Sequence, residues 1–229
     1  MLIVELAKRL ADRMPGSLQN ELKRIHYRRL ITQNRFASSE PEYVGLPDII
    51  KPGDWVIDVG ANVGHYTKRF SELVGANGRV FSFEPFPTTF ALLAANVSLF
   101  RHANVTLFNV AVSNCTRQAG ICVPSYPSGR KNYYQAHLSD GSKEVCIITL
   151  SLDSLDIPRP ISLVKIDAEG HEDFVIKGME KMLLRDHPVL IVETSSTEIV
   201  EHLGAKGYTF ERLKGSPNII FRHKGSVQS

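Results

Sequence analysis

The sequence predicts an α/β domain built on a mostly parallel sheet. Three observations predict it. From Asp54 onward, short apolar segments alternate with helical patterns. Segments such as WVIDV and SLVKI are almost continuously apolar, as strands covered on both faces require. A glycine loop, Gly60-Ala61-Asn62-Val63-Gly64, directly follows the first of these strands and opens a helix.

The expected strands are Trp55–Val59, Val80–Glu84, Val105–Val110, Leu163–Asp167, Val189–Glu193, Tyr208–Arg212 and Asn218–Arg222. The expected helices are Gly64–Val74, Thr88–Leu99, His171–Leu184 and Thr197–Leu203. The last two strands are joined by Lys214-Gly215-Ser216-Pro217, which is short enough for a hairpin and gives the sheet an antiparallel edge. Residues 112–152 interrupt the rhythm with two short strand patterns, Gly120–Pro124 and Val145–Leu150, around a long polar loop. Tyr126, Arg130, Lys131, Tyr133, Tyr134 and His137 in that loop either line an acceptor site or belong to an unstructured excursion.

The 229 residues, 43 % of them hydrophobic, suffice for one such domain with a helical extension. No apolar run approaches the roughly 20 residues of a membrane-spanning helix. Glu5 interrupts MLIVEL before it forms a signal-peptide core, so the expected location is cytoplasmic. Cys115, Cys122 and Cys146 form no C-x-x-C pair and fit a reducing compartment, with Cys122 and Cys146, in strand-like segments, read as packing residues.

Charge is uneven. Residues 1–35 hold eight Lys/Arg against three Asp/Glu, and the remainder nineteen against twenty-one. This excludes a general nucleic-acid binder. The division expected is therefore a basic helical extension, 1–35, and a main domain, 36–229, with 112–152 as an insertion. Leu2, Leu6, Leu10 and Met14 form one helical stripe, and Leu18, Leu22, Ile25 and Leu30 a second, in a helix from Ser17 to about Thr32. These helices either cap the main domain or make a peripheral contact with an anionic membrane or a partner.

The residues that carry chemistry cluster at strand ends. Gly60 and Gly64 allow a sharp turn and close approach of a ligand, and the next helix offers free N–H groups. Glu84, twenty residues after Gly64, is placed to accept hydrogen bonds from ribose hydroxyls. Asn62 stands where a dinucleotide fingerprint has its second glycine, which weakens a pyrophosphate ligand. Asp58 adds a carboxylate that suits an α-ammonium and repels pyrophosphate. These residues point to S-adenosylmethionine. The alternatives are a nicotinamide-dependent oxidoreductase and a non-catalytic module that keeps the fold and engages a membrane or partner.

The second cluster is Asp167-Ala168-Glu169-Gly170-His171-Glu172, after the strand LVKI. In an open α/β sheet it lies at the same crevice as Asp58 and Glu84. Glu172 and Asp173 also suit a helix N-terminus. Glu193 ends the next strand, before Thr194-Ser195-Ser196, a capping sequence. Asp167, Glu169, His171 and Glu193 are the candidates for the catalytic base. No third ligand accompanies Asp167 and Glu169, so no metal is assigned.

VIDVGANVGHYT, FSFEPFP, ITLSLDSL and LVKIDAEGHE, in that order, make the chain resemble the FkbM-type S-adenosylmethionine-dependent methyltransferases over about residues 40–195. The resemblance implies a Rossmann-like, seven-stranded class I methyltransferase fold and methyl transfer to a hydroxyl of a small molecule or glycan. It also implies that Asp58, Gly60, Asn62 and Gly64 hold the methionine part, with Tyr66 of the same motif in the cofactor set. By the same resemblance Glu84 binds the ribose, Asn109-Val110-Ala111 borders the adenine, and Asp167 lies beside sulfonium and acceptor. His171 departs from the family's small or apolar residue there, which opens a local role as base.

Overall fold

Seven strands form the main sheet of a computed structural model, which describes residues 15–122, 137–139 and 145–225. The strands are β1 (Trp55–Val59), β2 (Arg79–Phe83), β3 (Val105–Phe108), β8 (Leu163–Ile166), β9 (Val189–Glu193), β10 (Tyr208–Arg212) and β11 (Asn218–His223). Their order across the sheet is β10-β11-β9-β8-β1-β2-β3. β1, β2, β3, β8 and β9 pair in parallel, and β11 runs antiparallel to both of its neighbours. The chain winds outward from β1 in one direction and from β8 in the other. β1 and β8 are therefore the switch point where a ligand crevice opens.

The two-residue period of a strand divides the core. Ile57, Val59, Val164, Ile166, Leu190 and Val192 face one layer, with α5 (Glu172–Lys177), α6 (Glu180–Asp186) and α7 (Thr197–Ala205). Val56, Leu163, Ile191 and Ile220 face the other, with α2 (Pro41–Ile49) and α3 (His65–Val74). A second sheet holds β4 (Ala111–Val112), β5 (Gln118–Cys122), β6 (His137–Ser139) and β7 (Val145–Leu150), in the order β4-β7-β5-β6.

Several expectations are corrected. The helix expected over His171–Leu184 is two, α5 and α6. A Cβ on Gly178 would lie 2.0 Å from the Ser113 carbonyl oxygen, so this backbone is pressed against a distant loop. The Gly178 carbonyl there accepts from Asp153 N–H at 2.9 Å and Ser151 Oγ at 2.8 Å. Asp153 restarts the chain as α6 by accepting from Lys181 and Met182 N–H. Helix α2 was not expected at all. Part of the polar loop is strand β6, which includes the backbone of His137. Cys146 lies on an exposed face of β7, and Cys115 is exposed as well.

Helix α1 (Gly16–Thr32) packs Tyr27, Leu30 and Ile31 against Phe36, Val63, Leu92 and Phe100, beside α4 (Pro87–Val97). Its opposite side leaves Leu18, Leu22 and Ile25 exposed. The stripe of residues 2–14 lies outside the described residues, as do Tyr126, Arg130, Lys131, Tyr133 and Tyr134. Among the described residues no helix is long and apolar enough to cross a membrane.

Candidate active site

Adjacent parallel strands end side by side, so their last residues form one row of acids. Glu84 follows β2, Asp58 lies near the end of β1, Asp167 follows β8 and Glu193 ends β9. The turn after β1 is welded to the end of β8. A Cβ on Gly60, at φ +75°, would lie 1.8 Å from the Asp167 carbonyl oxygen. Asp167 N–H donates to the Val59 carbonyl at 3.1 Å. Glycine is needed at 60 because protein backbone, rather than a ligand, occupies the Cβ position. Gly64, the N-cap of α3, packs toward Leu93 and borders none of the cavities below.

Glu84 is buried. Its Oε2 accepts from Asn62 N–H at 3.0 Å and its Oε1 from Phe86 N–H at 2.9 Å. Burial pushes its carboxyl up to about 7, against those two hydrogen bonds. It borders a cavity that also reaches Gly60, Asn62, Ala111, Asp167, Glu169 and His171. Asn109 helps to shape this wall, donating through Nδ2 to the carbonyls of Glu84 and Pro85.

Asp58 is fully buried and accepts from Thr67 Oγ1 at 2.6 Å through Oδ2. Its Oδ1 has no hydrogen-bond partner among the described residues. Burial raises its pKa, partly offset by Lys165. It borders a second cavity with Glu40, Tyr66, Lys165, Gly60, Asn62 and Asp167. Tyr66 donates to Glu40 Oε2 at 2.6 Å and to Glu42 Oε1 at 2.9 Å. Its phenol pKa is raised by burial first and by these acids next.

A third, open cavity lies beyond β8 and β9, along Asp167, Glu169, Gly170, Glu193, Thr194 and Arg212. Glu193 is exposed at its rim. Partial loss of water and then the facing Asp167 carboxylate push its carboxyl up to about 7. Glu169 sits at φ +50° in the tight loop 168–170. Glu172 braces that loop, accepting from Ala168 and Gly170 N–H at 3.0 Å each. Asp173 is held by Lys177 on its own helix. His171 Nε2 lies 2.9 Å from Ser113 Oγ, with its ring stacked on Phe174 at 4.5 Å. Ser196 caps α7, accepting from Ile199 N–H.

The structure thus brings Asp58, Gly60, Asn62, Tyr66, Glu84, Ala111, Asp167, Glu169, His171 and Glu193 to the borders of three cavities that all share Asp167. Sequence reasoning missed Lys165 and Glu40. Lys165 is buried, 3.1 Å from Asp167 Oδ2 and 4.6 Å above the Tyr66 ring. Burial alone would lower its pKa, but Asp167 and Asp58 more than offset that and raise it. A lysine inside an apolar strand was the available signal. Glu40 left none, as a lone acid in a polar segment.

The methyltransferase FkbM domain family matches residues 58–210. The hexuronic acid methyltransferase AglP of Haloferax volcanii is 31 % identical over 134 residues, covering 57 % of this chain and 52 % of that protein. The crystal structure of a methyltransferase FkbM from Methylobacillus flagellatus superposes with a TM-score of 0.54 at 15 % identity, covering 80 % of this chain and 50 % of that one. The chain thus spans about half the length of each.

Proposed function

We propose that this chain, which belongs to the methyltransferase FkbM family, transfers the methyl group of S-adenosylmethionine to a hydroxyl oxygen of a sugar, polysaccharide or secondary metabolite. The observation that carries this reading is the place of Asp167, which borders all three cavities. Two of them share Gly60, Asn62 and Asp167 as lining residues, and the third shares Asp167 and Glu169 with the first. That arrangement suits a ligand with a nucleoside end and an amino-acid end, and an acceptor facing its middle.

The residues fit such a ligand. Glu84 offers two carboxylate oxygens to vicinal hydroxyls in a buried wall. Asp58 Oδ1, buried and without a partner among the described residues, leaves acceptor capacity at the amino-acid side. When bound, the cofactor supplies an already activated methyl group. The protein's share is alignment and proton removal. Lys165 fixes the Asp167 carboxylate at the junction. Glu193, with its carboxyl near 7 and on the acceptor side, is suited to take the hydroxyl proton at neutral pH. A sugar acceptor is favoured by the relative named for hexuronic acid.

Calorimetric titration with S-adenosylhomocysteine tests the reading. The wild type is expected to bind, and Glu84→Ala to bind about 10–100-fold more weakly, the loss of two hydrogen bonds to a charged group. A wild type that shows no binding heat or competition would refute it.

A further inference from the structure

The cavity below Tyr66 is closed by a piece of chain that precedes the family's matched residues. Ser38, Ser39 and Glu40 line it, whereas the match begins at residue 58. Two features hold this piece in place. Phe36 is buried and stacks on the His65 ring at 4.1 Å. Pro41 then begins α2.

Glu40 accepts from Ser38 Oγ at 2.8 Å and from Tyr66 Oη at 2.6 Å. Both bonds fall on Oε2, so Oε1 accepts no hydrogen bond among the described residues. The face of the same Tyr66 ring carries the Lys165 ammonium at 4.6 Å. One ring thus touches a carboxylate by its hydroxyl and an ammonium by its face. A ring flanked by one charge of each sign complements the zwitterion of an α-amino acid. The pocket's acids, Glu40, Asp58 and Asp167, outnumber its lysine. That surplus suits a ligand whose sulfonium and ammonium outweigh its carboxylate.

We propose that Glu40 receives the α-ammonium, and Lys165 the α-carboxylate, of the cofactor's methionine moiety, so that residues 38–40 form the amino-acid wall of the cofactor site. The assignment rests on the cofactor reading given above.

The test compares two ligands on wild type and Glu40→Gln. S-Adenosylhomocysteine has the amino-acid end, and 5′-methylthioadenosine lacks it. Glu40→Gln is expected to weaken S-adenosylhomocysteine about tenfold and to leave 5′-methylthioadenosine within about twofold. An unchanged affinity for S-adenosylhomocysteine overturns the proposal. So does an equal loss for both ligands, which would mean that Glu40 only supports the fold. A wild type that binds neither ligand overturns the cofactor reading itself, and the assignment falls with it.

Discussion

Asp58 on β1 and Lys165 on β8 stand directly side by side in the parallel ladder, one charge in each of two otherwise apolar strands. Asp167, two residues beyond Lys165 and partly exposed, completes an acid–base–acid row at the switch point. Lys165→Met removes the single cation from this row. It is expected to cost about 2–3 kcal/mol, below the range for a fully buried pair because Asp167 is partly exposed. The loss should be larger at pH 8 than at pH 5.5, because burial already raises the Asp58 pKa and removing the lysine raises it further. Urea unfolding at both pH values measures it, and an equal loss at both would show that the charge row is not the cause.

Gly60→Ala is expected to destabilise by about 3 kcal/mol or more. The added methyl meets the Asp167 carbonyl, and φ is positive. A melting temperature within a few degrees of wild type would contradict the weld between β1 and β8.

Glu84 and Glu193 both have folded-state pKa values of about 7, above the 4.5 of an unperturbed carboxyl. Between those limits the folded chain binds more protons than the unfolded one. Its stability is therefore greatest below about pH 4.5 for these two groups and declines as pH rises toward 7. Glu84→Gln should flatten part of that decline in the ligand-free protein. Chemical denaturation across this range checks the slope.

Glu193→Gln is expected to lower turnover about 10²–10⁴-fold on any acceptor that the wild type methylates, with S-adenosylhomocysteine affinity unchanged. The rise of kcat/KM with an apparent pKa near 7 should vanish with it. If the limb persists in Glu193→Gln, the base lies elsewhere, and His171→Ala is the next variant to profile.

Asp153→Ala should cost about 1–2 kcal/mol by uncapping α6. Equilibrium unfolding against wild type reads this directly.

Strands and glycine loop were legible because their signals are local. WVIDV and LVKI declare burial on both faces, and the spacing from Gly64 to Glu84 declares a strand end opposite the loop. The hidden features depend on contacts distant in sequence. Gly178 reads as a tolerated glycine within a helix until Ser113 is placed against it. Helix α2 buries Tyr43 and Leu46, but Gly45 and Pro47 mask its period. Lys165 acquires meaning only through the register that sets it beside Asp58. Glu40 does so only through Tyr66, twenty-six residues away.

The contact between Gly60 and the Asp167 carbonyl acts as a ruler. It sets the spacing between the glycine loop and Asp167 by hard-sphere contact between two backbones, with no side chain to flex between them. An in-line transfer tolerates little error in that distance.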